Sequence, residues 1–259
     1  MSAAALLTGL VVFVTHGLEA LTGFGCTVLA LPFVTLLLGI SEAKFLLTIL
    51  AWALAIYIAA SKFRKIVWRQ YGIIVLYVGL GLPIGMYAFA TLPRALLVRL
   101  LGAFITVSAA AQLWKLALAP LFARRRAALR PGAAGSAAGG GRIPRPYYVL
   151  LFLGGIVHGA FASGGPLVVL YAAKALPDKG NFRATLTLLW ATLNTVLIIG
   201  FASSGMFTPE RWLLLAEMTP FLVAGIVAGE VAHNRVEGTI FARIVFALLF
   251  VTGVFMVAL

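Results

Sequence analysis

The sequence predicts an all-α polytopic membrane protein of about ten transmembrane elements, arranged as two inverted five-element repeats with broken or re-entrant helices. Three observations carry this expectation. Of 259 residues, 63% are hydrophobic and 10% charged, with a mean hydropathy of +1.08, whereas soluble domains carry about 25% charged residues. Uncharged stretches cover 70–93, 146–173, 184–209 and 244–259, and roughly 20 apolar residues suffice to cross a bilayer. The two halves of the chain also repeat one another in order.

The apolar runs place five elements in the first half, at 3–20, 26–38, 44–60, 71–91 and 95–117. Five more follow at 147–162, 166–176, 184–203, 211–231 and 239–258. The runs 26–38 and 166–176 are too short to cross fully at 1.5 Å per residue and read as half-helices or re-entrant arms. The first repeat spans 1–118 and the second 147–259. The basic segment 119–146 between them is rich in Ala, Gly, Arg and Pro, lacks apolar periodicity, and reads as a cytoplasmic linker. No Lys or Arg precedes the first apolar run, so no removable signal peptide is expected.

The net charge of +13 would suggest nucleic acid as the partner of a soluble protein. Here the positive-inside rule accounts for it, and the lipid bilayer is the expected partner. With both termini outside, only Lys44, Arg94, Arg99 and Arg211 of the 20 basic residues fall outside. The linker arginines either set topology or lean on the anionic leaflet. The single cysteine, Cys26, excludes an internal disulfide and a cysteine-built metal site, so neither metal nor cofactor is expected. A homo-oligomer is compatible with the sequence.

The repeat is specific. Val14-Thr15-His16-Gly17 recurs as Ile156-Val157-His158-Gly159, and Thr22-Gly23-Phe24-Gly25 as Ser163-Gly164-Gly165-Pro166. Gly81 and Gly85 fall on Gly225 and Gly229, Trp68 on Trp212, and Arg99 on Arg243. An odd number of elements per half inverts the second copy, and inverted repeats place substrate sites near the midplane at interrupted helices. The interruptions here are the elbows at 22–25 and 163–166.

At an elbow, glycine permits unusual dihedrals and Pro166 suits the first turn of the outgoing half-helix. Its first N–H groups lack internal partners and sit at the positive end of the dipole, which makes an anion site without basic side chains. Thr22, Gly23, Phe24, Gly25, Ser163, Gly164 and Gly165 are therefore candidate substrate-binding residues, Thr22 and Ser163 adding hydroxyl donors. The alternative is that these small residues serve tight helix packing.

His16 and His158 precede the elbows by about two helical turns. Intramembrane histidine is costly and titrates near neutrality, so both are candidates for proton coupling or anion contact; a bond tying the hairpin arms is the other reading. Glu217 is the deeper of two glutamates on its helix and the carboxylate candidate for proton coupling. Glu19 lies close to the first elbow, where the second copy has Phe161; a carboxylate there should be protonated or pair with a cation. Trp52 and Trp190 occupy matching places and would wall the site. Asn194, in mid-helix, requires a partner inside the protein.

Thr22-Gly23-Phe24-Gly25 followed by Leu31-Pro32, with Ser163-Gly164-Gly165-Pro166-Leu167 in a second copy, resembles the sulfite exporter TauE/SafE family, also called the 4-toluene sulfonate uptake permeases. The resemblance covers nearly the whole chain outside the linker. It implies a multi-pass bacterial inner-membrane transporter acting on a small anionic substrate such as sulfite, sulfoacetate or an aryl sulfonate, and the charge distribution makes both termini periplasmic. The function expected is secondary transport, with export as the direction, coupled to protons through alternating access. An anion channel is the alternative, and an intramembrane hydrolase built on Ser163 and His158 the more distant one; no enzymatic activity is expected.

Overall fold

The computed structural model of the chain describes residues 3–129, 143–232 and 239–258. Among these residues it forms ten α-helices and one 3-10 turn. In chain order they are α1 (Ala3–Thr22), α2 (Cys26–Leu38), α3 (Ile40–Ser61), the turn Phe63–Lys65, α4 (Trp68–Thr91) and α5 (Arg94–Leu129). Then come α6 (Pro146–Phe161), α7 (Gly165–Ala175), α8 (Lys179–Ser203), α9 (Pro209–Ala232) and α10 (Thr239–Ala258). Helices α1, α3, α4, α5, α8 and α9 are long and apolar enough to cross a membrane. The apolar helices α2, α6 and α7 have 13, 16 and 11 residues, roughly 16–24 Å of rise, against a hydrocarbon core of about 30 Å.

Three boundaries differ from the expected ones for local reasons. Helix α3 begins at Ile40 because Gly39, at φ 85°, turns the chain in one residue, and Glu42 suits the positive end of the new helix. Lys44 thus lies one turn inside the helix instead of at its first position. Helix α8 begins at Lys179 because Asp178 caps it, its carboxylate accepting from the Asn181 N–H at 2.8 Å. Helix α5 continues to Leu129, into the span 119–146 expected as linker. Arg130, Arg142, Arg235 and the side chains of Arg124, Arg125, Arg126 and Arg243 lie outside what is described.

Helices from before and after the linker interleave: α4 packs along α6, α1 along α9, α5 along α10 and α3 along α8. Inside a bilayer little hydrophobic force drives helix on helix, so small residues that let backbones touch supply the packing. Gly81 and Gly85 face Phe152 and Ile156 of α6, while Gly155 and Gly159 face Val78 and Leu82 of α4. A Cβ at any of these four would collide with a facing backbone carbonyl. The α1–α9 seam repeats the device with Gly225 against Phe13 and Gly229 against Gly17. Gly102 meets Gly253 between α5 and α10. Helices α3 and α8 are the most enclosed, while α4, α5 and α9 turn apolar side chains such as Leu76, Tyr87, Val107 and Val227 outward.

Candidate functional site

Each elbow is built differently. The first turns on two glycines with positive φ, Gly23 at 83° and Gly25 at 107°. A side chain at either would be strained. In the second, the left-handed residue is Ala162 at φ 52°, and Gly164 has an ordinary helical φ of −68°. Gly164 is there for proximity: a Cβ would collide with Gly154 O and crowd His158 Cβ. Gly165 is open, the nearest atom to a Cβ being Phe24 Cδ2 at 4.0 Å.

The free N–H groups also differ. At α2 the Cys26 N–H donates to Glu19 Oε2 at 2.8 Å, so the chain's own carboxylate sits on the positive end of that helix. Glu19 therefore meets a backbone donor where the sequence left it either protonated or paired with a cation. The equivalent position before α7 is Phe161, and no side chain caps that helix. Helix α7 keeps the Gly165 and Leu167 N–H groups of its first turn, which lack intrahelical partners.

Both elbows line one small cavity of about 20 Å³, about the size of one water molecule. Glu19, Gly25, Thr27 and Val28 come from the first elbow, and His158, Ala162 and Gly165 from the second. Trp190 and Asn194 of α8 and Ala51 of α3 complete it. His158 Nε2 donates to Asn194 Oδ1 at 3.0 Å, which leaves the Asn194 amide N–H groups for a ligand. His158 Nδ1 and Ser163 Oγ are buried without a partner among the described residues. The His158 ring stacks on Trp190, centroids 5.6 Å apart, and Trp190 Nε1 donates to Gly23 O at 3.1 Å. One chain of contacts thus runs from the second elbow through α8 to the first.

Beside it opens a vestibule of about 980 Å³. Gly25 and Val28 line both spaces and form their common wall. Lys62, Lys65, Lys179 and Arg183 ring the vestibule, and Phe24 and Phe182 meet edge to face on its wall, centroids 6.0 Å apart. Arg183 Nε and Nη2 have no partner among the described residues. A basic, low-dielectric cleft concentrates anions.

Charged side chains fasten the other end of the helices. Arg211 of α9 forks onto Glu42 of α3, at 2.6 and 2.8 Å, and also donates to Met206 O. Lys44 is 3% exposed. Its Nζ donates to Gly159 O at 2.7 Å and lies 3.7 Å from the Phe89 ring centroid. Gly159 is in the last turn of α6, whose carbonyls lack helical partners. Lys44→Met keeps the apolar stem and leaves that carbonyl orphaned. A loss of ~1–3 kcal/mol is expected, read as a lower melting temperature in detergent; an unchanged melting temperature would remove this bond from the account.

Of the residues singled out in the sequence, Gly25, Gly165, Asn194, Trp190 and His158 line the small cavity, and Thr22 and Phe24 the vestibule. The Thr22 hydroxyl is engaged locally with Leu18 O and Phe24 O. Trp52 Nε1 donates to Thr195 Oγ1 at 2.9 Å, bracing α3 against α8. His16 Nδ1 donates to Val12 O at 3.0 Å within α1, and Glu217 is half-buried on α9; neither lines either space. Sequence reasoning missed the cavity role of Glu19, the reach of Lys44 and the Glu42–Arg211 pair. Their common signal is a charge within or at the edge of an apolar run.

Comparison with known proteins agrees with this architecture. The family model described as "Sulfite exporter TauE/SafE" matches residues 7–256. The chain is 24% identical over 196 residues to the probable inner membrane transporter protein TsaS of Comamonas testosteroni, covering 74% of this chain and 73% of that protein. No solved structure matches.

Proposed function

The chain belongs to the sulfite exporter TauE/SafE family of membrane transporters, and from that premise we propose that it is an inner-membrane secondary transporter of a small sulfur-containing or organic anion, sulfite or a sulfonate. The observation that carries the reading is the cavity shared by the two elbows, lined together by Gly165 at the uncapped head of α7 and by Asn194. A helix N-terminus with orphan donors binds oxyanions through geometry and dipole together. Ser163 adds a buried hydroxyl beside it.

Two inverted halves supply the movement. Exchanging the halves converts the α4–α6 seam into α9–α1 and returns α3–α8 and α5–α10 onto themselves, as a two-fold axis in the membrane plane requires. A cavity of about 20 Å³ is smaller than sulfite, so the elbows part to admit it. The vestibule then makes this the inward-open form, in the orientation that puts Lys62, Lys65, Lys179 and Arg183 in the cytoplasm. Phe24 and Phe182 form the inner gate and Glu42–Arg211 the outer one. Both termini are then periplasmic, export draws on the cytoplasmic anion pool, and His16, His158 and Glu217 are candidates for proton coupling.

The hydrolase reading lacks support in the geometry. His158 Nε2 is engaged by Asn194, and Ser163 Oγ makes no hydrogen bond to it among the described residues. A channel would conduct without exchanging. In proteoliposomes preloaded with unlabelled sulfite or toluenesulfonate, saturable uptake of the labelled anion is expected; linear, non-saturating uptake would establish the channel.

The outer gate has its own test. Arg211→Ala removes both bonds to a half-exposed carboxylate, a loss of ~1 kcal/mol at such a site, or about fivefold in the outward-open population. Labelling of Cys26 by an impermeant thiol reagent from the Arg211 side should accelerate by that factor. An unchanged rate would remove the pair from the gating mechanism.

A further inference from the structure

We propose that Glu19 is the proton-carrying residue of transport: its carboxylate is a resident occupant of the anion site, and it takes up one proton for each monovalent anion admitted. The proposal deepens the transport reading and rests on it. Three features of the fold converge. Glu19 is 3% exposed, and its Oε2 accepts from the Cys26 N–H, the place at the head of α2 that a substrate oxyanion would otherwise take. It lines the same cavity as Gly165 and Asn194, so an anion bound by α7 lies against it. Phe161 stands at the corresponding place before α7, so the site holds one internal carboxylate and one open helix end.

The surroundings leave Glu19 without another charge to balance it. From α2 the facing group is the Cys26 thiol, and across the cavity from α6 it is His158, whose Nε2–H is held by Asn194. From α8 come the neutral Trp190 and Asn194, and from α3 Ala51, while Arg183 of α8 packs against the elbow at Gly23 and lines the vestibule, not the cavity. Helix α9 meets this part of α1 through Gly225 and Gly229, against Gly17 and Ala20. The buried cation Lys44 is engaged by Gly159 O. Arg211–Glu42 is the ion pair among the described residues.

Two unit negative charges in van der Waals contact at the effective dielectric of a protein weaken binding on the order of a thousandfold. Protonating Glu19 abolishes that repulsion and frees the Cys26 N–H for the anion. The proton enters from the vestibule, whose wall at Gly25 and Val28 is shared with the cavity. It leaves with the anion when the opposite side opens. The complex gains one positive and one negative charge, so the loaded step is electroneutral for a monovalent anion.

The test uses methanesulfonate and toluenesulfonate, strong-acid anions whose own charge is constant between pH 5 and 9. In proteoliposomes of wild-type protein, counterflow should slow about tenfold per pH unit on the alkaline side of the Glu19 titration, and an inside-alkaline pH gradient should drive accumulation. In Glu19→Gln, exchange at whatever rate it shows should not vary with pH, and the gradient should drive no accumulation. Glu19→Asp should restore both. Gradient-driven accumulation in Glu19→Gln equal to wild type would overturn the proposal, as would loss of pH dependence in His158→Gln with retention in Glu19→Gln. Should Glu19→Gln fail to fold, proton uptake by the wild-type protein on adding either anion in weakly buffered detergent decides: one proton per anion is expected, and none overturns it. A wild-type protein that exchanges neither anion overturns the transport reading instead.

Discussion

A Gly165→Leu protein should insert and fold normally yet lose at least ~100-fold of its transport. The open space around Gly165, with Phe24 Cδ2 the nearest atom to a Cβ at 4.0 Å, lets the backbone keep its place. The isobutyl group, like the anion, would lodge between the parted elbows, where it would occupy the shared site and shield the Gly165 and Leu167 N–H groups of α7. Two hydrogen bonds to an anion, at ~1.5–3 kcal/mol each, account for that factor or more. Counterflow of labelled sulfite, alongside size-exclusion chromatography in detergent, separates the two quantities. Transport at wild-type rates by a normally folded Gly165→Leu protein would move the anion site elsewhere.

Gly85→Leu, by contrast, should fail at folding. Its Cβ would run into Ile156 O and crowd Ala160 N at 2.7 Å, both backbone atoms of α6 that no rotamer change can move. Overpacking a yielding core costs ~1–3 kcal/mol, and here helix α4 must shift away from α6. The cost should exceed that range, and the protein should aggregate or run as a broad peak. Gly72→Leu, where a Cβ meets nothing within 4 Å, is the matched control. Equal melting temperatures for the two variants would refute the close-packed seam.

Why some of this was legible in the sequence and some not follows from the range of the interactions. Apolar runs and glycine or proline breaks are local, so ten elements, the two elbows and the apolar outward faces could be read directly. The duplication added the correspondence of Gly81 and Gly85 with Gly225 and Gly229, which lie in the α4–α6 and α1–α9 seams. Boundaries slipped where a polar residue starts a helix, as Asp178 does for α8, because the charges nearby resemble a loop.

Long-range pairing left no local trace. Lys44 reads as an interfacial cation, and only the fold brings it to Gly159, 115 residues away. Glu19 could be placed near an elbow, where the sequence left it either protonated or paired with a cation. A helix N-terminus serves equally well, and that donor is invisible until the chain is seen to turn back at Gly25. Similarity between the two elbows in sequence also concealed their division of labour. One carries positive-φ glycines and an internal carboxylate; the other carries Ala162 in the left-handed turn and an open helix end.

The central claim is that the transported anion sits between the elbows. Selenite, a heavier analogue of sulfite, locates it directly through the anomalous scattering of selenium in crystals of the wild-type protein. A single strong peak is predicted within hydrogen-bonding reach of the Gly165 and Leu167 N–H groups and the Asn194 amide. A peak confined to the vestibule beside Lys62, Lys65 and Lys179, with none between the elbows at saturating selenite, would contradict it.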